Sequence, residues 1–176
     1  MNTARAETFY FKELERRRDT DAAPTFRVAS LALLGGVFSF YLKSFVVDGH
    51  FASWLFLCSA AGAVLFSTLA VIWIVRLFIG FSWGYVPSPD QLQAHFGELS
   101  SFHEKYGLDS GTPEEAFEKY LQKCYVEAAS KNMRNNNARS ELLYRASFFL
   151  ALAVLFTLIA GIPVLYRGLE GIVLVP

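Results

Sequence analysis

The stretch FRVASLALLGGVFSFYLKSFVV (26–47), followed after Asp48-Gly49-His50 by FASWLFLCSAAGAVLFSTLAVIWIVRLFIGF (51–81), decides the fold class. Each run exceeds the about 20 residues that a helix needs to cross a hydrocarbon core. The three residues between them leave room only for a tight reversal. A third run, ASFFLALAVLFTLIAGIPVLY (146–166), follows after a polar insert. With 53% of 176 residues hydrophobic and 18% charged, this is the composition of a membrane protein. A soluble helical bundle of this length could bury a core without three uninterrupted apolar runs. The reading is an all-α membrane protein with three transmembrane helices and a cytosolic helical hairpin, whose last helix continues from cytosol into membrane. The expected segments are an N-terminal amphipathic part (1–25), a transmembrane pair (26–81), a helical insert (82–145), a third transmembrane helix (146–166) and an external tail (167–176).

Charge sets the orientation. Arg5, Lys12, Arg16, Arg17, Arg18 and Arg27 precede or open the first run, and the link Asp48-Gly49-His50 has no Lys or Arg. Arg76 closes the second run, the insert carries seven further basic residues from Lys105 to Arg145, and only Arg167 follows the third run. Basic residues mark the cytoplasmic side. The N-terminus and the insert are therefore expected in the cytoplasm and the C-terminus in the periplasm. Lys43 is the exception, near the outer end of the first span, where its stem can snorkel towards Asp48 or headgroups. The first 25 residues are highly charged and lack the apolar core of a signal peptide, so the first span reads as an uncleaved anchor.

Composition narrows the chemistry. Net charge is zero, which gives no sign of direct nucleic-acid binding. Cys58 and Cys124 fall on different sides of the expected membrane and have no metal-ligand spacing. His95 and His103 stand eight residues apart, whereas a two-histidine metal pair on a helix needs i,i+4. Glu114, Glu115 and Glu118 lie in the first turns of an expected helix, where its dipole favours them. There is no Ser/His/Asp arrangement, glycine-rich phosphate loop or thiol pair, so no enzyme activity, cofactor or metal is expected.

Punctuation places the remaining elements. Thr8–Asp21 reads as an amphipathic helix, separated by Pro24 from the first span, and either lies on the inner leaflet or covers the insert as a solvated helix. Ser88-Pro89-Asp90-Gln91 reads as a capping box opening a helix that ends near Gly107. Thr112-Pro113-Glu114-Glu115 repeats the pattern. No proline or glycine lies between Pro113 and Gly161. One helix of about 50 residues, roughly 75 Å long, can therefore run into the third span, and Pro163 should kink or end it.

Two sets of residues are singled out. Gly35 and Gly36 in the first span, and Ser59, Gly62 and Ala63 in the second, are small enough to let helices approach closely. They serve either contacts between subunits or packing of the first span on the second. The other set is the stripe Phe117, Leu121, Cys124 or Tyr125, Ala128. It continues into Asn132, Asn135 or Asn136, and Arg139, then turns apolar at Leu142, Leu143 and Ala146. Four asparagines in the six positions 132–137 are poor helix formers. Asn132, Asn135, Asn136 and Arg139 form either a polar layer for ligand binding, gating or interhelical hydrogen bonds, or a solvated juxtamembrane face. Span interiors carry almost no charge, which disfavours a proton-coupled pump.

The start FYFKELERRR, the two closely linked spans and YVEAASKNMRNNNARSELLYRA leading into a third resemble small bacterial membrane effectors encoded beside antiphage defence genes. The resemblance is one of architecture over the whole chain. It implies self-association in the inner membrane and activation that opens a pore or disrupts the bilayer, on a signal from a cytosolic protein or a nucleotide. The competing expectation is a non-conducting anchor or scaffold whose insert recruits a cytosolic partner. A third is an accessory subunit of a larger transporter.

Overall fold

The computed structural model describes residues 2–45, 51–106 and 111–173, with side chains up to residue 166. The expected link Asp48–His50, Gly107 as a helix stop, and the last residues of the tail lie outside the described residues. Four helices account for nearly all of the described chain: α1 (Thr3–Ser44), α2 (Phe51–Arg76), α3 (Pro89–Tyr106) and α4 (Pro113–Val173). Three of them, α1, α2 and α4, are long and apolar enough to cross a membrane.

Helix starts follow from local chemistry. The Gln91 amide donates to Ser88 Oγ at 3.4 Å and the Ser88 amide donates to Gln91 Oε1 at 3.1 Å, which completes the capping box of α3. The Glu115 amide donates to Thr112 Oγ1 at 3.2 Å at the start of α4. The end of α2 is tightened by amide-to-carbonyl bonds three residues apart, from Leu77 to Ile74 and from Phe78 to Val75. Gly80, with φ of 90°, then supplies the left-handed residue that turns the chain out of the helix. The second apolar run therefore stops being α-helical at Arg76 and not at Phe81.

Pro24 behaves otherwise than expected, and Pro163 does not end its helix. Pro24 lies inside α1 and does not separate an amphipathic helix from the first span. Pro163 lies inside α4, which continues to Val173, so the start of the expected external tail is helical. Each proline removes one backbone donor, a cost of about 3 kcal/mol in an isolated helix. Surrounding packing and side-chain donors offset that cost in apolar helices. Pro24 and Pro163 are both buried, so packing surrounds each ring.

The chain divides into two compact units: Met1–Asp21 with Phe81–Ala138, and Ala22–Gly80 with Arg139–Pro176. In the first, Tyr10 packs with Ala128 and Ala129, flanked by Leu14, Val86 and Tyr125. Phe96 meets Phe117 edge-on at 5.2 Å and His95 lies 4.1 Å from the Tyr120 ring, which seats α3 on α4. In the second, Phe45 stacks on Phe56 at 4.1 Å over the buried Ala160. Along α4 the buried positions Ala129, Asn132, Asn136 and Arg139, and again Ala146, Leu150, Ala153, Thr157 and Ala160, follow three- and four-residue steps. That is the spacing of a helix–helix seam, and its small members admit close neighbours.

The small residues in the spans divide by environment. Ser59 and Ala63 are buried, and a Cβ added at Gly62 would overlap the Phe156 ring of α4. Gly161 receives Tyr41 of α1 in the same way. Gly35 and Gly36 are exposed with open space around their Cα atoms. Gly35 lines one side of an apolar groove of about 310 Å³ whose other side includes Ala63 and Ser67. We expect Gly62→Leu to cost at least the 1–3 kcal/mol typical of overpacking, roughly, and to lower the melting temperature in detergent. Gly36→Leu should leave that temperature unchanged or raise it slightly. Equal losses in the two variants would refute the assignment of Gly62 to intrachain packing.

Candidate functional site

The asparagine-rich turns of α4 form a buried polar network among the described residues, and they lie within the first unit. Asn132 is fully buried. Its Oδ1 accepts from the Gly84 amide at 2.8 Å and its Nδ2 donates to the Gly84 carbonyl at 3.0 Å. The side chain thus pairs with both backbone groups of one residue, as a neighbouring strand would. Segment 81–88 has no regular structure of its own, so its amides and carbonyls need such partners. Asn135 adds a second tie, from Nδ2 to the Ser82 carbonyl at 2.8 Å, on the exposed side.

Glycine at position 84 is required by the approach. A Cβ there would lie 2.9 Å from Ala128 Cα and 3.1 Å from the Ala128 carbonyl oxygen, both backbone atoms that cannot rotate away. The neighbouring aromatics are held from the other side. Arg17 of α1 lies 4.3 Å above the Trp83 ring and donates to Tyr85 Oη at 2.9 Å. Its Nε also stands 3.7 Å from Asp21.

Asn136, fully buried one turn after Asn132, reaches α1 instead. Its Nδ2 donates to the Glu13 carbonyl at 2.8 Å and to the Glu13 carboxylate at 2.9 Å. Arg16 stands 3.3 Å from the same carboxylate and donates to Asn137 Oδ1 at 3.1 Å. All four asparagines therefore bind other elements, and the loss in helix propensity is offset by hydrogen bonds, two of them to a charged group. The Asn136 carbonyl oxygen is buried and accepts no hydrogen bond among the described residues. Arg139, the fourth residue of the expected layer, is also buried, but it falls in the second unit.

Beside this network runs a groove of about 210 Å³ between α1 and α4, walled by Ala6, Phe9, Ala129 and Met133, with Glu13 at one edge. Phe9 and Met133 are about half exposed, so apolar surface faces outward here. Deeper in the same helix pair, burial pushes the Tyr125 phenol above its ordinary pKa, and the nearby Glu7 and Tyr10 add to the shift.

Sequence reasoning found the asparagines but not their partners. Glu13, Gly84 and Arg17 gave no signal as site residues, because their roles depend on contacts with residues 48 to 123 positions away. The aromatic-glycine pattern Trp83-Gly84-Tyr85 was the available clue to a close backbone approach. The histidines stay apart from this site: His103 Nδ1 lies 3.1 Å from its own helix's Leu99 carbonyl. Among the described residues no three His, Cys, Asp or Glu side chains cluster as a metal site would need. Cys58 and Cys124 are free thiols.

Replacing Asn132 by Leu leaves both polar groups of Gly84 without their partner, at about 1–3 kcal/mol each. Asn135→Ala, at an exposed bond, should cost under about 1 kcal/mol. Thermal unfolding, with hydrogen exchange at residues 82–86, reads the contrast. Similar losses at the two positions would contradict the buried pairing.

No protein-family model, curated protein or solved structure matches this chain.

Proposed function

We propose that this chain is a homo-oligomeric effector of the bacterial inner membrane, with the N-terminus and insert in the cytoplasm and the C-terminus in the periplasm. A signal received by the polar unit alters the packing of the spans, so that the assembly acts as a signal-gated pore or perturbs the bilayer. It acts without catalysis. The observation that carries this reading is the buried contact of Asn136 with Glu13. It joins the two helices that each continue into a candidate span, α1 and α4, at the edge of a groove open to a ligand or a protein segment. A group that competes for the Glu13 carboxylate, or for the Asn136 carbonyl oxygen, would change how these helices are held. The signal is a cytosolic protein or a nucleotide, and the role in antiphage defence rests on the architectural resemblance.

A non-conducting anchor or scaffold is the second reading. It is favoured by the nearly charge-free interiors of the three apolar runs. In that case the groove with Phe9 and Met133 recruits a soluble partner and the spans only hold it at the membrane.

Reconstitution in liposomes separates the two. For the effector, cross-linking in the bilayer gives a defined oligomer, and Asn136→Leu changes dye or ion release by tenfold or so, as loss of about 1.4 kcal/mol at a gating contact would. Gly36→Leu reduces the oligomer without lowering the stability of the fold. A monomer that releases nothing, in the wild type and in Asn136→Leu alike, would overturn the effector reading and leave the anchor.

A further inference from the structure

Among the side chains described in the second unit, up to residue 166, basic groups outnumber acidic ones. They are Arg27, Lys43, Arg76, Arg139 and Arg145 against Glu141, and Arg139 is engaged elsewhere. Glu141 is taken by Arg145, whose Nε donates to it at 2.9 Å. Arg27 is turned inward, donating from Nε to Ser147 Oγ at 2.8 Å. Arg76 is exposed at the end of α2, and beyond Glu141 there is no carboxylate among the described side chains of the unit.

Arg76 and Arg145 nevertheless converge. The Arg76 guanidinium lies 5.2 Å from the centre of the Trp73 ring and the Arg145 guanidinium 5.0 Å from it. The two cations come from different helices and are no farther apart than those two distances together. The partial negative charge at the end of α2 accounts for Arg76 on that helix. It does not account for Arg145 arriving from α4 at the same ring. Cation–π attraction orients each guanidinium, and beside the Arg145 Nε bond to Glu141 it leaves the Arg145 Nη groups and the Arg76 fork to face an anion. Forked donors of this kind match the oxygens of a phosphate better than a lysine would. A tryptophan next to arginines at the end of an apolar helix is also the composition of a membrane–water interface.

We infer that Arg76 and Arg145, held over Trp73, form a binding site for the phosphate of an anionic phospholipid at the end of α2. The site lies on the side expected to be cytoplasmic. The phosphate bridges the two guanidiniums, relieves their mutual repulsion and ties α2 to α4 at headgroup level. The inference rests on the three helices spanning a bilayer, and does not depend on whether the assembly conducts.

The test uses the full chain in nanodiscs of mixed phosphatidylglycerol and phosphatidylcholine. Lipids retained after extraction are read by native mass spectrometry. Recovery in nanodiscs reports membrane insertion by itself, so failure of the membrane reading is distinguishable from failure of the site. The wild type should retain phosphatidylglycerol over phosphatidylcholine. Arg76→Gln and Arg145→Gln should each lower that preference by about fivefold, the effect of one basic residue near an anionic surface. Lys43→Gln, at the opposite end of the first span, should leave it unchanged. Arg76→Lys, which keeps the charge but loses the fork, should fall between wild type and Arg76→Gln. Both arginines are exposed, so circular dichroism should show the same helix content in every variant. Equal retention of the two lipids by the wild type would overturn the proposal, as would a preference that survives Arg76→Gln with Arg145→Gln. Protection of the lipid-free protein by inorganic phosphate through the same arginines would show a soluble phosphate as the ligand and overturn the lipid assignment.

Discussion

The pairing of Asn132 with the backbone of Gly84 is the constraint on which the polar unit depends. Segment 81–88 leaves the end of α2 through a turn at Gly80 and must reach the capping box of α3 without regular structure. Its polar backbone groups would be costly to bury unpaired. One side-chain amide meets both groups of Gly84, which lies directly against Ala128 of α4. The same closeness excludes any side chain at position 84. Arg17 then holds the aromatic residues on either side, through the Trp83 face and the Tyr85 hydroxyl. The asparagines that are poor for a helix are therefore good for a helix that serves as a template.

Packing in the apolar unit follows a different rule. Close fit between small and large side chains joins its helices, the mode of association that helices crossing a bilayer would need, where water does not compete for apolar surface. Gly62 under Phe156 and Gly161 under Tyr41 are the clearest cases. The buried positions of α4 keep three- and four-residue steps from Ala129 to Arg139 and again from Ala146 to Ala160, although the residues change from amides to alanines along the way. A shared period lets one helix satisfy hydrogen bonds in one unit and shape in the other. Gly35 and Gly36 fall outside this intrachain fit. They are the small residues left for a second copy of the chain in the proposed oligomer.

Charge is distributed with equal economy. In the polar unit, carboxylates meet cations and amides locally, as Glu13 does with Arg16 and Asn136. Among the described side chains of the apolar unit basic residues outnumber the carboxylate of Glu141, and two of them share one indole. An anionic lipid surface would supply the missing negative charge. On this reading the phosphate site and the Glu13–Asn136 contact are separate devices, one fixing α2 against α4 and the other α1 against α4.

The sequence by itself determined the helical class, the three long apolar helices, the helix starts at Ser88 and Thr112 and the unbroken course of α4 past residue 145. These follow from local rules: run length, capping side chains, and the absence of proline and glycine. It also located Asn132, Asn135 and Asn136, because four amides in six helical positions conflict with propensity. Only the tertiary structure decided what the amides bind, that Gly62 faces Phe156 while Gly36 faces open space, and that Pro24 and Pro163 sit within helices instead of breaking them. A proline's local cost is fixed by its ring, but its outcome depends on whether distant packing outweighs that cost. An amide is satisfied equally well by water, a ligand or a backbone far away in sequence. The choice among them is made by which elements the folded chain brings within about 3 Å.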